Sequence, residues 1–109
     1  MRISFPDART QRVFNDYDQL EAHFGAQLAA QIATRMAVLA AAKDLGRVPY
    51  RPPIRLRALK ESPGQFSVDL MAPHRLRFGV ADSHAGVDKK GKGDVDRTRI
   101  EEIEVFGVE

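Results

Sequence analysis

The chain has no cysteine, which excludes disulfides and thiolate chemistry and fits a reducing compartment. No run of roughly eighteen uncharged apolar residues occurs that would span a bilayer. The opening Met1-Arg2-Ile3-Ser4-Phe5-Pro6-Asp7 also lacks the apolar stretch of a signal peptide. The expectation is a soluble, cytoplasmic protein that does not engage a membrane. The three histidines, His23, His74 and His84, form no closely spaced metal pair, so neither a metal nor another cofactor is expected. A Ser-His-Asp order and a nucleophile elbow are missing as well, which leaves hydrolysis through a covalent serine without support.

What remains is 109 residues, enough for one domain with one ordinary hydrophobic core. The net charge of +2 conceals an uneven distribution. Residues 1 to 44 carry five basic and five acidic side chains, residues 45 to 99 carry twelve and six, and the last ten carry none and four. Positive charge is thus concentrated in the middle of the chain, and the acidic end either covers that region or lies on an outer strand.

Local patterns predict the elements. Ile3 and Phe5 alternate into a short first strand that Pro6 stops. Asp7 is placed to cap a helix running to about Phe24, with Val13, Tyr17, Leu20 and Phe24 on one stripe. Gly25 suits a break, and a second helix is expected from about Ala26 to Asp44 with Leu28, Ile32, Met36 and Leu39 on one side. After Gly46, Pro49, Pro52 and Pro53 the period changes to two. Strands are predicted at about 54 to 60, 65 to 71, 74 to 80 and 98 to 108, with a bulge near Glu101-Glu102 where the phase shifts between Ile100 and Ile103. The order β-α-α-β-β-β-β implies an α+β domain, two N-terminal helices packed on one face of a mostly antiparallel sheet whose other face stays wet.

The wet face carries the chemistry. In Ile54-Arg55-Leu56-Arg57-Ala58 and His74-Arg75-Leu76-Arg77-Phe78, apolar residues and arginines alternate, so Arg55, Arg57, Arg75 and Arg77 are expected opposite the core. Gln65, Ser67 and Asp69 join them from the intervening strand. A guanidinium group is a planar fork of donors that fits phosphate oxygens, and several on one sheet face suit a polyanion such as RNA or DNA. The plainer reading is solvated strand residues paired with acids, protecting an edge. His74 opens the strand bearing Arg75 and Arg77 and is a candidate acid or base, whereas His23 reads as structural. Glu101, Glu102 and Glu104 are further candidate bases, although acids on a last exposed strand usually serve solubility.

Residues 81 to 97 are polar and glycine-rich and read as a mobile loop. Gly86-Val87-Asp88-Lys89-Lys90-Gly91-Lys92-Gly93 comes close to a phosphate loop, but Gly93 stands where magnesium needs a hydroxyl and a strand follows where a helix is required. From Asp88 the segment makes a poor calcium loop, since Lys90, Lys92 and Arg99 occupy ligand positions.

Several stretches together resemble a known family: Ala29-Ala30-Gln31-Ile32-Ala33-Thr34-Arg35-Met36-Ala37-Val38-Leu39, Leu56-Arg57-Ala58-Leu59, Gly64-Gln65-Phe66-Ser67-Val68-Asp69-Leu70, His74-Arg75-Leu76-Arg77-Phe78 and Ile100-Glu101-Glu102-Ile103. They are similar to the RelE/ParE toxin superfamily, and most of all to its HigB-like plasmid-maintenance killer proteins. The resemblance implies the toxin of a type II toxin-antitoxin system, commonly a ribosome-dependent endoribonuclease that cuts mRNA by attack of the RNA's own 2′-hydroxyl. It makes Arg75 the candidate for phosphate binding or transition-state stabilisation, with Arg77, Arg57 and Lys60 as secondary contacts. The implied partners are mRNA, the ribosome and a cognate antitoxin of helix-turn-helix type, with operator DNA bound only through the antitoxin. Two alternatives stay open: a ParE-like topoisomerase inhibitor that cleaves nothing, and a non-catalytic nucleic-acid-binding or partner-binding module.

Overall fold

Asp16 divides the first helical stretch in two. In the computed structural model of the protein, which describes residues 1–81 and 96–109, α1 spans Ala8–Asn15 and α2 spans Tyr17–Phe24, with Asp16 in extended geometry between them. The Asp16 carboxylate accepts the Asp18 amide at 2.9 Å. Asp7 caps α1 in the same manner through the Thr10 amide at 2.7 Å. A short side-chain oxygen competes for neighbouring amides, so aspartate favours a cap over a helix interior. The single helix expected from Asp7 to Phe24 is therefore corrected to two, and with it the single stripe: Phe14 and Leu20 are buried while Tyr17 is exposed. The amide of Thr10, above all, holds the Asp7 carboxyl below the ordinary aspartate value. The ionised cap is thus retained at neutral pH and lost only as the pH falls through that lowered value.

Helix α3 runs over Ala26–Ala41, three residues short of the predicted end, and buries Leu28, Ala29, Ile32, Arg35 and Leu39. A 3-10 turn at Leu45–Arg47 follows. Strands β1 (Arg2–Ser4), β2 (Arg57–Ala58), β3 (Gln65–Asp69), β4 (Arg75–Val80) and β5 (Glu102–Val108) form one sheet in the order β1-β5-β4-β3-β2. Strand β1 pairs parallel to β5, and the other pairings are antiparallel. The described residues form an α+β arrangement with three α-helices and a mixed five-stranded sheet. Phe66, Val68, Leu76, Phe78, Ile103 and Val105 point from β3, β4 and β5 into one core with Phe14, Leu20, Leu28, Ile32 and Leu39 of the helices. The acidic end is not an outer strand, because β5 lies between β1 and β4.

Two expectations for the strands are also corrected. The strand predicted at 54 to 60 is reduced to Arg57–Ala58, because Arg55 has a φ of 49° and its amide donates to Arg51 O at 2.9 Å, a turn rather than a ladder. Ile54 still accepts the Asp69 amide at 2.7 Å, which keeps the segment beside β3. The bulge lies near the other end of β5: Arg77 faces Gly107 and Phe78 faces Val105, leaving Phe106 as the extra residue. Ile100 is buried by a 3-10 turn at Arg97–Arg99 and accepts the Leu45 amide, so Glu101-Glu102 needs no bulge. The phosphate-loop and calcium-loop readings at 86 to 99, His84 and most of the loop expected at 81 to 97 lie outside the described residues. Among the described residues no helix is long and apolar enough to cross a membrane.

Candidate functional site

On the face of the sheet away from the helices, side chains fall into two rows set by strand register. Asp69, Arg75 and Glu109 form one, since Asp69 opposes Arg75 and the Arg75 backbone exchanges hydrogen bonds with that of Glu109 at 2.9 and 3.4 Å. Arg57, Ser67, Arg77 and Gly107 form the next. Arg55 lies outside regular strand but arrives at the same place, with its guanidinium 3.5 Å from the Asp69 carboxylate. Arg57 meets that carboxylate at 2.6 Å. Glu109 spans the other two arginines, one oxygen 2.7 Å from Arg75 and the other 3.2 Å from Arg77. Each carboxylate therefore bridges a pair of guanidinium groups.

Four cations against two anions leave positive charge in excess. The four arginine side chains are between 31% and 46% exposed. Pairs this accessible are screened by water and contribute at most about 1 kcal/mol each. They orient the forks without locking them, and an incoming phosphate oxygen can replace a carboxylate oxygen. Ser67 is the buried floor between Arg57 and Arg77; its hydroxyl, like Arg77 Nε, has no hydrogen-bond partner among the described residues. Gln65 holds Arg77 from the far side by accepting a short hydrogen bond from its Nη2. From behind the sheet, the largely buried Arg35 of α3 donates through Nε to the Asp69 carbonyl at 2.7 Å, fixing the backbone that carries the Arg55 and Arg57 partner.

Arg77 and Glu109 open onto a cleft of about 400 Å³ whose walls are Gln65, Phe106, Gly107 and Val108. The bulge turns Phe106 over Gly79 of β4. A Cβ at Gly79 would come within 3.0 Å of the Phe106 ring and 3.3 Å of the Gly64 carbonyl oxygen. Gly79→Ala is therefore expected to displace the ring and strain the β3–β4 pairing, lowering stability by about 1–3 kcal/mol in thermal or urea denaturation.

The remaining candidates separate from this cluster. His74 precedes β4 with the parity of Leu76 and Phe78, which turns it toward the helices. It lines a different cleft, with Phe24, Gly25, Ala26, Gln27, Leu28, Met71 and Ala72. Among the described residues its side chain makes one polar contact, Nδ1 at 3.4 Å from the Glu109 backbone carbonyl oxygen. Lys60 stands exposed in the turn after β2 without an ion pair to a described residue. Glu102 pairs with Arg2 of β1 at 3.3 Å, away from the arginines. His23 donates through Nδ1 to the Gln19 carbonyl oxygen at 2.9 Å within α2, a local helical contact. Among the described residues no three His, Cys, Asp or Glu side chains gather to hold a metal.

Glu109, Gln65 and Phe106 were missed as site residues by sequence reasoning. The parity of β3 already places Gln65 among the wet positions. Nothing in the alternation of β5 foretells Phe106, because the bulge resets its phase. Compared with known proteins, the chain matches no family model, no curated protein and no solved structure.

Proposed function

We propose that this protein binds RNA on the arginine face and cleaves it, as the toxin of a type II toxin-antitoxin pair of the RelE-like, HigB type. The observation that carries the reading is the convergence of Arg55, Arg57, Arg75 and Arg77 from two chain segments on one accessible surface beside an open cleft. The α+β layering, with helices on one sheet face and arginines on the other, agrees with that family's expected architecture.

Cleavage by the RNA's own 2′-hydroxyl asks three things of a protein: a fixed chain geometry, cations against the developing phosphorane charge and a proton acceptor. Arg75 and Arg77 provide the cations from neighbouring positions of one strand, and Arg55 and Arg57 hold the flanking backbone. Messenger RNA on the ribosome, in the cytoplasm, is the substrate. A helix-turn-helix antitoxin is the neutralising partner and carries the pair to operator DNA.

Induced expression is expected to arrest growth, and primer extension on cellular mRNA is expected to show new 5′ ends within a few minutes. Purified protein added to programmed ribosomes should reproduce those ends. Arrest with intact mRNA and an induced DNA-damage response would replace this reading with topoisomerase inhibition. Salt-sensitive RNA binding with neither arrest nor new ends would leave a binding module.

A further inference from the structure

Among the described residues Glu109 is the one carboxylate that lines the candidate cleft, and its two oxygens engage the two arginines best placed for a phosphate. We propose that Glu109 has two successive roles in RNA cleavage: it occupies the arginine fork until RNA arrives, and it then takes the proton from the attacking 2′-hydroxyl. The inference rests on the ribonuclease reading given above.

The geometry supplies both parts. A carboxylate spanning Arg75 Nη2 at 2.7 Å and Arg77 Nη1 at 3.2 Å presents two oxygens to two guanidinium groups, as two non-bridging phosphate oxygens would. The scissile phosphate and the Glu109 side chain thus compete for one position. When the phosphate enters, the side chain turns aside but cannot travel far, because the Glu109 amide donates to Arg75 O at 2.9 Å and keeps its backbone on β4. The displaced carboxylate then stands beside the phosphate it has made room for, within reach of the adjoining ribose. No other described carboxylate has this placement. Asp69 lies on the far side of Arg75 and holds Arg55 and Arg57, Glu102 pairs with Arg2, and His74 is turned to the helices.

In the step itself the O2′–H bond breaks and its proton passes to the Glu109 carboxylate. The O2′–P bond forms, the P–O5′ bond breaks, and water supplies a proton to the departing 5′ oxygen. The products are a 2′,3′-cyclic phosphate and a 5′-hydroxyl, and Glu109 returns its proton to solvent. Arg75 and Arg77 stay protonated throughout and neutralise the charge that gathers on phosphorus-bound oxygen.

Glu109→Gln keeps the shape of the side chain and removes both its charge and its proton affinity. It should slow single-turnover cleavage of mRNA on programmed ribosomes by about 100-fold or more. The same change should tighten binding of a non-cleavable 2′-deoxy oligonucleotide by about three- to tenfold, since an anion no longer competes for the fork. Opposite signs in the two measurements are what a merely structural residue does not produce. Glu109→Asp should recover part of the cleavage rate, and the acid limb of the pH–rate profile should be present in the wild type and lost in Glu109→Gln. Wild-type cleavage with Glu109→Gln within threefold of it, or with weakened oligonucleotide binding, overturns the assignment alone. RNA left uncut by the wild type overturns the ribonuclease reading and the assignment with it.

Discussion

Phe78→Ala is expected to cost about 3–5 kcal/mol, the range for truncating a fully buried aromatic side chain in a packed core. Phe78 has no exposed surface and sits in β4 with strands on both sides. It faces Phe66 across the β3–β4 pair, with ring centroids 6.0 Å apart and planes inclined by 20°. Removing its ring therefore loses apolar burial, the aromatic pair and the support beneath two strands at once. Against the roughly 5–15 kcal/mol that holds a domain of this size together, such a loss leaves the protein only marginally folded. Urea denaturation followed by circular dichroism measures it, with a fall in midpoint at unchanged slope as the expected form. Tyr17→Ala provides the contrast. The sequence spacing places Tyr17 on the same stripe as Leu20, but the break at Asp16 exposes it, so the change should stay within about 0.5 kcal/mol. A loss at Tyr17 comparable to that at Phe78 would contradict the division of the first helix.

The residues that alternate strictly were legible in the sequence, and those whose neighbours disturb the backbone were not. In β3 and β4 the period of two is uninterrupted, so Phe66, Val68, Leu76 and Phe78 reach the core and Asp69, Arg75 and Arg77 the opposite face as the pattern requires. Ser67 departs only in accessibility: its side is as expected, but Arg57 and Arg77 flank it and close it from water. Around Arg55 the pattern gives the correct side for the wrong reason, since a positive φ and a turn hydrogen bond bring the side chain to Asp69. His74 shows the converse case. Adjacency to Arg75 suggests shared chemistry, yet consecutive strand residues face opposite ways, and parity outweighs proximity. Phe106 and Glu109 depend on long-range register between β4 and β5, about thirty positions apart, which no local pattern records. The first helix failed through capping: periodicity sees four apolar positions in phase, whereas Asp16 offers its carboxylate to a nearby amide and ends the turn.

Arg77→Ala is expected to lower the cleavage rate on programmed ribosomes by about 100- to 1,000-fold, the loss typical of removing one preorganised donor from a developing oxyanion. Its position explains why it should exceed its neighbours. Arg77 lines the cleft and meets Glu109 through Nη1 and Gln65 through Nη2, so its guanidinium is held on two sides. Arg75→Ala should follow closely, because it carries the other half of the fork. Arg57→Ala should cost less, since Arg57 is paired with Asp69 at 2.6 Å and lies on β2, with β3 between it and the strand that carries Arg75 and Arg77, and Lys60→Ala should cost least from its exposed turn. The graded order tests the placement of the site more sharply than any single loss. Stability should change by less than about 1 kcal/mol in each variant, because the ion pairs are solvent-accessible. Oligonucleotide affinity should become less steep in salt by about 0.7 in the log–log slope for each phosphate contact removed from a single strand. Full activity in Arg77→Ala, or a Lys60→Ala variant as damaged as Arg77→Ala, would move the chemistry off this face. The expected order holds only if the scissile phosphate enters where Glu109 now bridges Arg75 and Arg77, between a cationic floor and the ring of Phe106.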